Sequence, residues 1–261
     1  MASDRQRGVI RLKPKTPGEP KPKTPGETPR PPRPQPSERT GGETPRPPRP
    51  QPSERTGGET PRPPRPPAGE RAGREALLTR ATPLGLVSGR GVLQANLNWS
   101  AATGADLDLG CLIELADGSI HVIQALGDSF GALDAPPYTL LDQDDRTGAS
   151  SDGETVRTNL EYRAKFRRIL VYTFVYEGAV DFRSLGATVT VTAASGRLRI
   201  LLDDAPAGAT ACAIALITAG NGGMDVRREV RWFTATPWES NQQLIDRAYG
   251  FGVPWVWGTK D

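Results

Sequence analysis

The sequence predicts an all-β fold, a two-sheet β-sandwich with a short C-terminal helix, preceded by a disordered tail rich in proline and arginine. From Val92 onward, apolar residues alternate with polar ones, which is typical of strands. Clusters of Gly, Asp and Pro interrupt this alternation at short intervals. Before it, 20 of the 26 prolines fall between Pro14 and Pro67. We therefore divide the chain into a disordered tail, 1–75, and a sandwich domain with an aromatic C-terminal segment, 76–261.

The tail is basic and repetitive. Residues 1–75 hold 17 Lys/Arg and 9 Asp/Glu, whereas the rest of the chain holds 16 and 21, so a positive tail precedes an acidic domain. The unit GETPRPPRPQPSERTG repeats with a period of 16 from Gly26, Gly42 and Gly58. Because frequent proline removes backbone donors and favours polyproline conformation, we predict a solvated spacer. The alternative is a recognition arm for an SH3-like groove or an anionic surface.

Nine short strand patterns favour two packed sheets. The first is the alternating run Leu93, Ala95, Leu97 and Trp99. The others cover 109–115, 119–125, 154–160, 168–176, 187–193, 197–202, 210–217 and 225–233. One helix is predicted over 239–248 with Ser240 as its cap, and a second, short helix over 74–80. The aromatic residues of the C-terminal segment predict a cap over one edge of the sandwich, with a partner-binding patch as the alternative.

Two acidic clusters indicate a cation site. In GADLDLG, Asp106 and Asp108 lie two residues apart at a strand entrance, so both carboxylates point to the same side of the strand. The loop LDQDDRTGASSDGE supplies five more carboxylates, those of Asp142, Asp144, Asp145, Asp152 and Glu154. Packing these carboxylates together costs Coulomb repulsion unless a cation compensates it, and calcium takes six to eight oxygen ligands in flexible geometry. The alternative is a solvated acidic loop whose aspartates form turns.

The stretch from Trp99 to Phe233 resembles the TerD/TerA family of tellurium-resistance and stress proteins, specifically its TerA-like branch. The matching segments are ADLDLGCLIEL, QALGDSFGALDAPPYTLLDQDDRTG, DGETVRTNL, RRILVYTFVYEG, ACAIALI and REVRWF. The resemblance implies a calcium-binding β-sandwich with its ions between the DxD segment and a GDDE-like loop. Carried over position by position, it implies the ligands Asp106, Asp108, Asp144, Asp145, Asp152 and Glu154.

The sequence departs from the family pattern at two places. Where calcium-binding members have a third aspartate after DLD, this chain has Gly110. The GDDE of the loop reads Ser151, Asp152, Gly153, Glu154. Fewer carboxylates predict fewer ions or weaker binding than two full sites would give.

The expected function is that of a non-enzymatic calcium-binding scaffold in stress response and tellurium resistance. Its expected cofactor is Ca²⁺, and its expected partners are proteins of the resistance system. The alternative is an adaptor that docks on a membrane or on nucleic acid, without sequence specificity, through the basic tail. Without a hydrophobic signal or a membrane-spanning run, we predict a cytoplasmic protein, which the tail could hold at the inner face of the membrane.

Other chemistries find little support in the sequence. His121 is the only histidine and alternates with Ile120 and Val122, which argues against a Ser/His/Asp triad and against a histidine zinc site. Cys111 and Cys212 lie in apolar runs and are predicted to be core residues, not ligands of a soft oxyanion. The acidic pairs lack the aromatic cleft of a glycosidase.

Overall fold

The two-sheet sandwich is confirmed by a computed structural model, which describes residues 8–11, 74–100, 105–142, 153–177 and 181–258. One sheet has six strands, in the order β3 (Leu84–Val87), β14 (Met224–Phe233), β13 (Ala211–Ala219), β10 (Phe166–Glu177), β5 (Asp106–Leu115) and β6 (Ile120–Ile123). The other has seven, in the order β2 (Arg74–Leu77), β12 (Gly196–Leu201), β11 (Thr188–Ala193), β4 (Val92–Asn98), β9 (Glu154–Asn159), β8 (Thr139–Leu141) and β7 (Gly131–Ala132). A separate pair joins β1 (Gly8–Arg11) to β15 (Trp255–Gly258).

The predicted alternation holds where one face of a strand meets the core and the other does not. Along β4 and β11, every second residue is buried and its neighbours are half-buried. The buried set of β4, Leu93, Ala95 and Leu97, packs against inward-facing residues of the opposite sheet. Burial of these apolar side chains drives the sheets together, at about 25 cal/mol for each Å² removed from water.

Strand β5 is buried along its whole length, because the protein covers both of its faces. Leu107, Leu109 and Cys111 point into the core between the sheets. Leu112 belongs to a second core on the outer side of the six-stranded sheet. Glu114, on that same outer side, accepts hydrogen bonds from Arg167 Nη1 at 2.8 Å and Arg168 Nε at 2.6 Å.

The C-terminal segment covers this outer side. Helix α2 (Asn241–Tyr249) begins at Ser240, which forms a capping box with Gln243, so the predicted cap is confirmed. Ile245, Phe251 and Val253 are buried in the second core, and Tyr249 and Trp255 pack against it. The aromatic segment therefore covers a sheet face and not an edge. Trp238 is the exception, since 88% of its surface is exposed.

Asp246 fastens the segment that follows α2. Its carboxylate accepts hydrogen bonds from the backbone amides of Phe251, Gly252 and Val253 at 2.8–3.0 Å and from Trp255 Nε1 at 2.8 Å. The side chain is only 6% exposed. Hydrogen bonds to a charged acceptor are stronger than neutral ones, so this carboxylate holds the turn after the helix against the sheet.

The helix predicted over 74–80 is wrong. Residues 74–77 form β2, which pairs in parallel with β12 through Arg74↔Gly196 and Leu77↔Arg199. The sequence REALL has good helix formers, but pairing with a sheet edge outweighs this weak local preference. Sequence analysis also missed the short strands β3, β7 and β8, the 3-10 helix Leu160–Lys165 and helix α1 (Phe182–Leu185).

The predicted tail differs from the structure at both of its ends. Gly8–Arg11 and Arg74–Leu77, which the boundary at residue 75 assigned largely to a disordered tail, contain paired strands. The predictions for the repeats, a disordered spacer or a recognition arm, fall on residues outside the described ranges and stay predictions.

Candidate metal site

Strand β5 carries two of the predicted ligands. Asp106 is 6% exposed and Asp108 is fully buried. In the pairing of β5 with β10, Asp106 lies opposite Glu177 and Asp108 lies opposite Phe174. Asp106 and Asp108 point to the same side of β5 because side chains alternate along a strand. The predicted orientation of the DxD pair is therefore present, on the side of β5 opposite to Leu107 and Leu109.

Glu154 reaches the same strand from the other sheet. It is the first residue of β9 and is fully buried. Its Oε2 accepts a hydrogen bond from the backbone amide of Leu109 at 2.5 Å. Because β6 pairs with β5 only from Cys111 onward, the backbone at Leu109 is open to this contact. The structure thus places the Glu154 carboxylate at the residue that directly follows Asp108.

Gly153, the residue before Glu154, lies too close to β4 for a side chain. Gly153 has φ 57°, and a Cβ added there would lie 2.0 Å from the carbonyl oxygen of Leu97 and 3.0 Å from Asn98 Oδ1. Only glycine fits this left-handed conformation at such a close approach to β4. Gly153 therefore fixes the point at which the chain enters β9 and so positions Glu154.

Residues 143–152 connect β8 to β9, whose antiparallel pairing brings both ends of the connection together. Asp142 N donates to Thr155 O at 2.9 Å. The Asp142 carboxylate forms an ion pair with Arg157 at 2.6 Å, which gives it a structural role. Asp144, Asp145 and Asp152, the other predicted ligands, lie outside the described residues.

The ring of Tyr172 fills the space that a side chain at position 110 would occupy. A Cβ on Gly110 would lie 2.7 Å from Tyr172 Oη and 2.9 Å from the carbonyl oxygen of Ile123. The Tyr172 hydroxyl donates to Gln124 Oε1 at 2.8 Å. Burial raises the pKa of Tyr172 well above its ordinary value, and the charge of nearby Asp108 adds to this shift. Glycine at 110 is thus a packing requirement of the buried tyrosine.

Sequence analysis missed one oxygen atom beside Gly153 that could serve as a metal ligand. The carboxamide oxygen of Asn98 lies beside Gly153, and Asn98 Nδ2 donates to Asn96 Oδ1 at 2.5 Å. Asn96 Nδ2 in turn donates to Thr155 Oγ1 at 2.9 Å. The alternating polar residues of β4 could have identified this pair, but their pattern is also that of an ordinary solvent-facing strand.

The donor chemistry favours a hard cation. The buried carboxylates of Asp106, Asp108 and Glu154 have oxygen atoms, the ligand type that calcium and magnesium prefer. Burial raises the pKa of the Cys111 thiol and of the Cys212 thiol, so neither provides a thiolate for a soft metal. Among the described ranges, no group of three or more His, Cys, Asp or Glu side chains is arranged to hold a metal by itself.

The described part of the chain shows neither a Ser/His/Asp triad nor a membrane-spanning helix. His121 Nε2 lies 3.2 Å from Ser119 Oγ, but Asp117 Oδ1 accepts from Ser119 Oγ at 2.7 Å, so the carboxylate does not orient the ring as it would in a triad. None of the helices in the described ranges has the length and apolar content that crossing a bilayer requires.

Comparison with known proteins gives one relative with clear sequence similarity. The tellurium resistance protein TerA of an Alcaligenes species is 34% identical over 185 residues, which are 65% of this chain and 53% of that protein. The chain thus spans about half the length of this curated relative. No family model matches the sequence.

Among the solved structures that match, two have lower sequence identity to this chain. One is the crystal structure of a protein of unknown function, with a TM-score of 0.46 and 16% identity, covering 57% of this chain and 94% of that one. The other is a homologue of telluride resistance protein (TerD) from Streptomyces coelicolor, with a TM-score of 0.46 and 21% identity, covering 64% of this chain and 100% of that one.

Proposed function

We propose, from the 34% identity to a TerA protein, that the sandwich is a calcium-binding, non-enzymatic scaffold of the TerD/TerA family that acts in tellurium resistance and stress response. Asp106, Asp108 and Glu154 would bind the ion together with Asp144, Asp145 and Asp152. The ion would join residues 143–152 to β5. Proteins of the resistance system would contact the surface formed in this way.

The burial of Asp106 and Asp108 on one side of β5, with the buried Glu154 carboxylate at the backbone of the same strand, supports this proposal most strongly. Asp108 and Glu154 are fully buried and Asp106 nearly so, and Glu154 contacts the backbone at Leu109, next to Asp108. Removing several negative charges from water is costly unless positive charge compensates them. A divalent cation with oxygen ligands supplies that compensation, and the loop of acidic residues begins and ends at the same hairpin, β8–β9.

A scaffold role without catalysis agrees with the chemistry of the remaining polar groups. The single histidine, His121, lies in β6 and contacts Ser119 Oγ, whose hydroxyl donates to Asp117, so the serine bridges the carboxylate and the imidazole, whereas a triad requires the imidazole between the other two groups. The buried carboxylate of Glu114 is paired with Arg167 and Arg168, and that of Asp246 holds backbone amides. These carboxylates stabilise the fold and are poorly placed to exchange protons with a substrate.

Replacing Asp108 with asparagine tests the ligand assignment. We expect Asp108→Asn in the full chain to abolish the rise in melting temperature that calcium produces. The calcium-free protein should be at least as stable as the wild type, because one repelling charge is removed. The measurement is thermal unfolding with chelator and with millimolar calcium.

Glu114→Gln is the matched control, since Glu114 is also buried on the same side of β5 but binds arginines. This variant should lose stability and keep the full calcium shift. If Asp108→Asn instead lowers the stability of the calcium-free protein and leaves the calcium shift unchanged, Asp108 is a structural acceptor and the assignment fails.

A further inference from the structure

Strand β3 forms one outer edge of the six-stranded sheet, and among the described residues it pairs with β14 alone. Arg228 N donates to Pro83 O at 2.8 Å, in register with that pairing. Because backbone groups alternate between the two sides of a strand, Pro83 and every second residue after it face β14. The N–H and C=O groups of Leu84 and Leu86 therefore point away from the sheet, and no hydrogen bond within the described ranges reaches them.

This edge lacks charged or proline residues that would keep another strand away. Protected edges usually carry charged side chains, bulges or prolines. The side chains beside the open backbone groups are instead apolar, and Leu84 is 67% exposed and Leu86 54% exposed. Pro83 does not interrupt the outward side, because its nitrogen faces β14. Strand β3 can therefore accept a further strand along its outward side.

The opposite sheet fills the inner side of β3. A Cβ on Gly85 would lie 2.7 Å from Leu198 Cδ1 and 3.2 Å from Leu78 Cδ2. Val87, the next inward-facing residue, is only 1% exposed. A partner is thus limited to the backbone edge and to the outer face, on which both exposed leucines lie.

The edge is complementary to itself. Leu84, Gly85 and Leu86 read the same in both directions. Antiparallel pairing of two copies about a two-fold axis at Gly85 places each Leu84 opposite a Leu86 of the other copy. The outward N–H and C=O groups of these opposed residues then bond to each other, as in an ordinary hydrogen-bonded pair. A second copy thus satisfies the open backbone groups and covers the apolar side chains.

The neighbouring charges also fit a second copy. In the register with β14, Arg227 lies beside Leu84 and Asp225 lies beside Leu86, and both charged residues are exposed. Each contact between Leu84 and Leu86 would therefore have Arg227 of one copy on one side and Asp225 of the other copy on the other side. Opposite charges across paired strands are favourable, whereas like charges are not.

We propose that β3 is a dimer contact, at which a second copy of this chain adds its own β3 in antiparallel orientation. The two six-stranded sheets then join into one continuous sheet. A partner of unrelated sequence would match neither the symmetric sequence about Gly85 nor the order of the neighbouring charges. This contact is independent of calcium binding.

Charge exchange at the two leucines tests the contact in the full chain, with sedimentation velocity as the measurement. The wild type should sediment as a dimer at high protein concentration and dissociate on dilution. Leu84→Lys/Leu86→Lys should be monomeric, and so should Leu84→Glu/Leu86→Glu, because like charges would then face each other across the axis. An equimolar mixture of these two variants should recover the dimer, since each lysine then faces a glutamate.

Leu77→Lys is the control, because Leu77 is also an exposed leucine of an edge strand but lies on β2 of the other sheet. This variant should remain a dimer, and loss of its dimer would place the contact elsewhere and overturn the proposal. A wild type that is monomeric at every concentration, charged variants that remain dimers, or a mixture that stays monomeric would each overturn it as well.

Discussion

Replacing Gly153 with alanine is expected to destabilise the protein by about 2–5 kcal/mol. The left-handed conformation at φ 57° costs a non-glycine residue about 1–2 kcal/mol. The new methyl group would also lie 2.0 Å from the carbonyl oxygen of Leu97, and relief of such overpacking costs about 1–3 kcal/mol more. Urea or guanidinium unfolding of the full chain measures the change.

Gly208→Ala separates these two contributions. Gly208 also has a left-handed backbone, φ 78°, but a Cβ there would have no atom within 4 Å. We expect this control to show only the backbone cost. If the two substitutions are equally harmful, the close approach of Gly153 to β4 does not constrain the fold. Since Gly153 positions Glu154, Gly153→Ala should also weaken calcium binding, whereas Gly208→Ala should not.

The second large effect is expected at Asp246, where asparagine should cost about 2–4 kcal/mol in the free energy of unfolding. The carboxylate accepts four hydrogen bonds, two at each oxygen. An asparagine keeps one acceptor oxygen but presents an NH₂ group to the remaining two donors. Because Phe251, Val253 and Trp255 would lose their attachment, the fluorescence of the C-terminal tryptophans should change well before the rest of the domain unfolds.

Asp203→Asn is the matched control, an identical substitution at an exposed position of the same domain. It should change the free energy of unfolding by less than about 0.5 kcal/mol. Equal effects at positions 203 and 246 would show that the buried hydrogen bonds of Asp246 contribute little, contrary to the structure.

The sequence predicted the strands with one buried face and the start of the C-terminal helix, because neighbouring residues determine both. The alternation along β4 and β11 follows directly from one buried face, and the Ser240 cap follows from its own side chain and that of Gln243. Strand β5 is different. Its outer face packs, at Leu112, against a C-terminal segment more than 130 residues away, so no local pattern indicates that β5 is buried on both faces.

The sequence predicted which acidic residues form the candidate site, but not how the two sheets bring them together. The spacing of Asp106 and Asp108 places them on one side of a strand, as predicted. The contact of Glu154 with Leu109 joins two sheets and depends on tertiary packing alone. The reason for Gly110 is the ring of Tyr172, which lies on the neighbouring strand. The pairing of residues 8–11 with 255–258 is the most distant in sequence, and only the three-dimensional arrangement reveals it.

Calcium titration of the full chain, followed by its melting temperature, tests the central claim most directly. At one hundred times the dissociation constant, calcium bound only to the folded state should stabilise the protein by about 2.7 kcal/mol. Magnesium at the same concentration should stabilise it much less, because its small octahedral shell tolerates irregular oxygen sites poorly. A melting temperature that millimolar calcium leaves unchanged, or that calcium and magnesium raise equally, would contradict the assignment of a calcium site at Asp106, Asp108 and Glu154.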